Sequence, residues 1–115
     1  MNTKILLRTL TEPHELQKEL GAYNLEYQLE GDTLKVSVLH TDIETFQKII
    51  TKYLSAPYNY VNIKFPDKKS NVLIFPNRTF LIFDEETDRA VKEWALSIGL
   101  SKPETEWTTF YDKSL

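Results

Sequence analysis

Residues 25–38 read LEYQLEGDTLKVSV, and this stretch decides the fold class. Leu25, Tyr27 and Leu29 alternate with Glu26, Gln28 and Glu30; beyond Gly31-Asp32, Leu34, Val36 and Val38 alternate with Lys35 and Ser37. Period-two alternation is the pattern of a strand with one apolar face. A two-residue turn at Gly31-Asp32 pairs Glu30 with Thr33, and therefore Leu29 with Leu34, Tyr27 with Val36 and Leu25 with Val38. Every apolar residue meets an apolar partner, so pattern and turn agree on one register. The expectation is a hairpin with all six side chains directed inward.

Upstream, Ile5, Leu6, Leu7 and Leu10 form a compact apolar run that reads as a strand buried on both faces. Thr11 is placed to cap a short helix with Pro13 in its first turn, Leu16 and Leu20 on one face, and Gly21 as its left-handed stop. Downstream, Thr41 and Glu44 are spaced as a capping box ahead of Ile43, Phe46, Ile50 and Tyr53 at helical intervals, with Pro57 ending that helix. Val61, Ile63 and Phe65 alternate with polar residues as a strand with one wet face. Val72–Phe75 and Thr79–Phe83 flank a Pro76-Asn77 turn and are apolar at nearly every position, which calls for burial on both faces. A last helix spans Asp84 to Ile98, its apolar face Val91, Trp94, Ala95 and Ile98, with Gly99 as its stop. Hairpin plus helix thus occurs twice, Phe46, Ile49, Ile50 and Tyr53 recurring 45 positions later as Val91, Trp94, Ala95 and Ile98.

The implied class is α+β: a mixed or antiparallel sheet of five to six strands with three helices, ferredoxin-like (βαββαβ) in its first stretch, with an added β-hairpin and helix. The 115 residues suit a single domain, 1–115, with 101–115 as a docked C-terminal tail carrying Trp107, Phe110 and Tyr111. A hydrophobic share of 41% with 27% charged residues is ordinary for a globular chain. No apolar run approaches the roughly 20 residues of a membrane helix, and the N-terminus does not read as a signal peptide. With no Cys, disulfides, thiol catalysis and zinc–thiolate sites are excluded, and the expected compartment is the cytoplasm.

Chemistry is limited by what is missing. A phosphate cradle needs clustered glycines, and Gly21, Gly31 and Gly99 each stand at an expected turn or helix end. No Ser lies in a G-x-S-x-G elbow. His14 reads as a surface residue of a short helix. His40 closes a strand just before a helix, followed by Asp42 and Glu44, a run that could present imidazole and carboxylate to a divalent metal. Acids in a first helical turn explain themselves as dipole partners, and the same holds for Asp84, Glu85, Glu86 and Asp88. Neither a metal nor a cofactor is therefore expected. Nucleic-acid binding is disfavoured by a net charge of −3, and Arg78–Phe83 lacks the glycine of an RNA-binding strand and places Phe80 and Phe83 on opposite faces.

What remains is surface character: two Trp, six Tyr and six Phe in a small acidic chain. The expected function is a non-catalytic protein-binding or regulatory module, with inhibitor- or immunity-type masking of a partner among its forms. Self-association as a dimer would place Trp107, Phe110 and Tyr111 at the interface. The alternative is a small-ligand-binding protein or an unrecognised enzyme that uses His40 and nearby acids beside Tyr58 or Tyr60.

Overall fold

The computed structural model describes residues 1–111; the last four residues of the expected tail lie outside them. The elements run β1 (Thr3–Leu6), α1 (Pro13–Ala22), β2 (Tyr27–Glu30), β3 (Thr33–Val36), α2 (Ile43–Ile50), β4 (Val61–Phe65), β5 (Ser70–Phe75), β6 (Arg78–Ile82) and α3 (Glu85–Ser97). The class is α+β with three helices, but the six strands form two three-stranded antiparallel sheets, ordered β1-β3-β2 and β4-β5-β6, where one sheet was expected.

The two sheets adjoin along β1 and β4. Lys64 N–H donates to Asn2 O at 2.9 Å, and Thr3 Oγ1 donates to Asn62 O at 2.7 Å. Asn2 also locks the end of the first hairpin, accepting from Val38 N–H and donating to Val38 O, both at 2.8 Å.

The hairpin register is the expected one: Tyr27 opposite Val36, Leu29 opposite Leu34, Glu30 opposite Thr33. Gly31 takes the left-handed backbone (φ 59°) that a two-residue turn requires. The inward expectation fails for two of the six. Leu25, Leu34, Val36 and Val38 are buried, whereas Tyr27 and Leu29 stay 38% and 48% exposed. β2 is the outer edge of its sheet, and the cover over Leu34 and Val36 stops short of their partners.

Helix ends depart from expectation where tertiary contacts compete. Thr11 does not cap α1; its N–H donates to Tyr53 O at 2.8 Å, strapping the segment before α1 to the end of α2 beside a Leu10–Leu54 bridge. Gly21 lies inside α1, and Asn24 (φ 60°) supplies the left-handed residue while Leu25 N–H returns to Leu20 O at 2.9 Å. The Thr41–Glu44 box does not form: residues 40–42 make a 3-10 turn in which Asp42 accepts a long bond from Leu39 N–H at 3.4 Å. The box that does form opens α3, where Asp84 Oδ1 accepts from Thr87 N–H at 2.8 Å and Thr87 Oγ1 accepts from Asp84 N–H at 3.1 Å. Gly99 (φ 108°) ends α3 as expected.

Two cores share β5, which is buried along its whole length. Val72 and Ile74 pack with Ile5, Leu34, Val36, Ile63 and the inner faces of α1 (Leu16, Leu20) and α2 (Phe46, Ile49, Ile50). Leu73 and Phe75, on the opposite face, pack with Ile82, Val91, Ala95, Leu100, Trp107 and Tyr111. The helices α1 and α2 therefore cover one side of β5, and α3 with the tail covers the other. Burying each such side chain contributes about 1.5–3 kcal/mol, so β5 is the seam that welds the chain together. Its hairpin partner β6, expected to be buried on both faces, shares this burial on one face only: Ile82 is buried and Phe80 half-buried, whereas Leu81 is 49% exposed and Phe83 just beyond the strand is 53% exposed.

Candidate functional site

The tail packs against the body of its own chain. Trp107 and Tyr111, placed by the sequence at an interface, are buried within the chain's own second core, and Phe110 is half-buried. Their anchor is a residue the sequence offered only as a helix-dipole partner. Asp88 faces inward from the first turn of α3, 5% exposed, with Oδ1 accepting from Trp107 Nε1 and Oδ2 from the Tyr111 hydroxyl, each at 2.8 Å. Lys92 Nζ lies 3.2 Å from the same carboxylate. A buried carboxylate is stable when it is hydrogen-bonded and paired, and here it has both. Burial first, and the Asp88 carboxylate second, push the Tyr111 hydroxyl up to about 12. The signal for this site was present in the sequence as an i, i+4 Asp88–Lys92 pair and two tail residues with polar ring ends, but nothing local linked them.

His40 sits at the mouth of a shallow groove of about 650 Å³ between the start of α2 and the β5–β6 turn, lined also by Ile43, Glu44, Gln47, Asn77, Arg78 and Thr79. Its ring packs against Phe65 with centroids 4.2 Å apart and planes tilted by 44°, and it makes no hydrogen bond among the described residues. The two acids that follow it are engaged elsewhere, Asp42 with Leu39 N–H and Glu44 with Lys48 at 3.3 Å. Among the described residues, no group of three or more His, Asp or Glu is placed to hold a metal ion.

Tyr58 and Tyr60 are not beside His40. They line a separate depression of about 440 Å³ at the β1–β4 junction, with Lys4, Arg8, Asn59, Asn62 and Glu104 around it. Tyr60 is largely structural: its ring packs 5.3 Å from Phe75 and 5.7 Å from Trp107, and its hydroxyl donates to Glu104 O at 3.0 Å. Burial, then the nearby Glu104 charge, raise its hydroxyl above the ordinary tyrosine value. Tyr58 is exposed, and Lys4 and Arg8 have no ion-pair partner among the described residues.

The surface that sequence reasoning missed is the outer edge of β6. Arg78 and Phe80 turn to the second core, where the Arg78 guanidinium lies 4.9 Å from the Phe80 ring and 5.6 Å from the Trp94 ring. Leu81 and Phe83 turn to the other side, beyond the reach of α2, and stand in solvent. The only available signal was that β6 ends its hairpin with nothing after it to pair with. Among the described residues, no helix is long and apolar enough to cross a membrane. No family model, curated protein or solved structure matches this chain.

Proposed function

We propose that this chain is a non-catalytic protein-binding module of regulatory type, masking or holding a partner rather than transforming a substrate. The observation that carries this reading is the β6 edge, a strand paired with β5 on one side and with no described strand on the other, presenting exposed Leu81, with Phe83 just beyond it, next to the open groove at His40. Exposed apolar residues on a free sheet edge are the usual means by which one chain adds to another. Asp42 and Glu44 are bonded to Leu39 N–H and Lys48 rather than to His40, which favours binding over acid–base chemistry. The absence of Cys from the sequence is in keeping with a reducing compartment such as the cytoplasm.

A ferredoxin-like reading of the first half, which would order the strands β4-β1-β3-β2, draws its support from the pairing of β1 with β3 on one side and from the hydrogen bonds that Asn2 and Thr3 make to Lys64 and Asn62 on the other. The added β5–β6–α3 unit then carries the binding edge.

Affinity capture from the native cell tests the reading. A protein retained by the wild-type chain and lost with Leu81→Lys or Phe83→Ser is expected. Identical retention by all three chains, or none by any, overturns it. One observation favours a second reading: Lys4 and Arg8, neither of them in a close ion pair among the described residues, flank exposed Tyr58 at the 440 Å³ depression, a setting for a small anion. Inorganic phosphate that raises the melting temperature of the wild type but not of Arg8→Ala would support it.

A further inference from the structure

We infer that the partner of the β6 edge is a second copy of this chain, paired antiparallel about a two-fold axis through Leu81. This rests on the protein-binding reading and names its occupant.

The backbone supplies the first reason. The β5–β6 hairpin closes with Phe75 opposite Arg78 across a two-residue turn, with Leu73 opposite Phe80 and Asn71 opposite Ile82. In such a ladder the closing pair and every second pair thereafter exchange hydrogen bonds, so Arg78, Phe80 and Ile82 turn their backbone groups toward β5. Thr79 and Leu81 turn theirs outward, and neither joins a backbone hydrogen bond to another element of the described chain. The edge carries few of the usual guards: residues 78–82 contain no Pro and no Lys, their single charge is Arg78 at one end, and the strand carries no bulge.

Side chains select the register. With Leu81 opposite its own copy, Thr79 faces the partner's Phe83 and Arg78 faces the partner's Asp84. Leu81 and Phe83 of both chains then form one apolar row on one face. On the other face, Arg78 meets a carboxylate whose Oδ1 alone serves the α3 cap, leaving Oδ2 directed to no described donor. The two-fold axis doubles each of these contacts, as an isologous interface requires.

The other free edge makes the charge argument sharper. β2 exposes Tyr27 and Leu29 in the same alternation, but pairing Tyr27 with the Leu29 of a second copy sets Glu26 opposite Glu30 twice. Like charges directly opposite across strands are destabilising. The β6 edge carries a cation at one end and an anion at the other, which antiparallel pairing brings together; the β2 edge carries anions at both.

The test uses the intact chain, whose lack of Cys makes single-cysteine variants unambiguous. Sedimentation of the wild type from micromolar to millimolar concentration should show a mass twice 13.5 kDa. Leu81→Cys, oxidised with glutathione disulfide, should form a disulfide-linked dimer, because paired positions in a ladder lie within disulfide reach. Thr79→Cys should not, since each copy of position 79 faces position 83. Leu81→Lys should be monomeric with an unchanged circular-dichroism spectrum, while Leu29→Lys remains dimeric. A wild type of 13.5 kDa throughout, or a dimer indifferent to Leu81→Lys, overturns the inference. A monomeric chain that still captures a foreign protein through Leu81 would leave the protein-binding reading standing without self-pairing; loss of both would end both.

Discussion

The chain contains two hairpin–helix units, β2–β3–α2 and β5–β6–α3, and they solve burial differently. In the first, the inner strand β3 buries one face, Leu34 and Val36, while Thr33 and Lys35 on the other face stay partly exposed. In the second, the inner strand β5 buries both faces because α1 and α2 lie on one side and α3 with the tail on the other. The outer strands behave alike: β2 and β6 each leave apolar residues in solvent. A similar local pattern thus yields different burial, and the deciding variable is how many helical layers reach the strand.

The contrast within the first unit gives the largest expected effect. Leu34 and Leu29 face each other, one fully buried and one half-exposed. Leu34→Lys should cost more than about 4 kcal/mol by burying an unpaired charge, whereas Leu29→Lys should stay within about 0.5 kcal/mol. Urea denaturation of the two variants measures both, and equal costs would mean that β2 is covered in solution.

Next comes the seam. Phe75→Ala should lose about 3–5 kcal/mol, since it leaves a cavity among Tyr60, Phe80 and Trp94. Asp88→Ala should lose about 2–6 kcal/mol by stranding the Trp107 and Tyr111 donors, each worth about 1–3 kcal/mol when left unsatisfied. Tryptophan emission of that variant should shift to the red as the tail loosens. Unchanged emission would show that the tail is held by packing alone.

A smaller effect distinguishes the units by pH. Tyr111 in the second unit and Tyr53 at the end of the first are both held to about 12, against an ordinary 10.0. For Tyr111 the cause is burial and then Asp88; for Tyr53 it is the neighbouring Glu19 carboxylate and then burial. The folded chain holds these protons more tightly than the unfolded chain, so stability is intact below pH 10. It falls as pH rises from 10 toward 12. Tyr111→Phe and Tyr53→Phe should each flatten part of that fall in urea midpoints measured across the interval.

The smallest expected effect lies at the helix starts. Thr87→Ala should cost about 0.5–1.5 kcal/mol because the α3 box is well formed. Asp42→Ala should change the melting temperature little, since its bond to Leu39 N–H is long. The reverse order would show that α2 depends on its cap more than its geometry suggests.

By itself the sequence determined the elements that rest on local rules: the Gly31-Asp32 turn and its register, the Pro76-Asn77 turn, the three helices with their apolar faces, and Gly99 as a stop. Each follows from backbone geometry and hydrophobic period within a few residues, which a single chain segment carries in full. Tertiary structure decided the rest. Whether Leu29, Tyr27 and Leu81 are covered depends on where a helix from elsewhere in the chain ends. Whether Thr11 caps or straps depends on Tyr53, 42 residues away. The roles of Trp107 and Tyr111 depend on Asp88, whose carboxylate looks like any first-turn acid until the tail folds back on it. Hydrophobic pattern states which face wants burial, but only the packed chain supplies the surface that buries it.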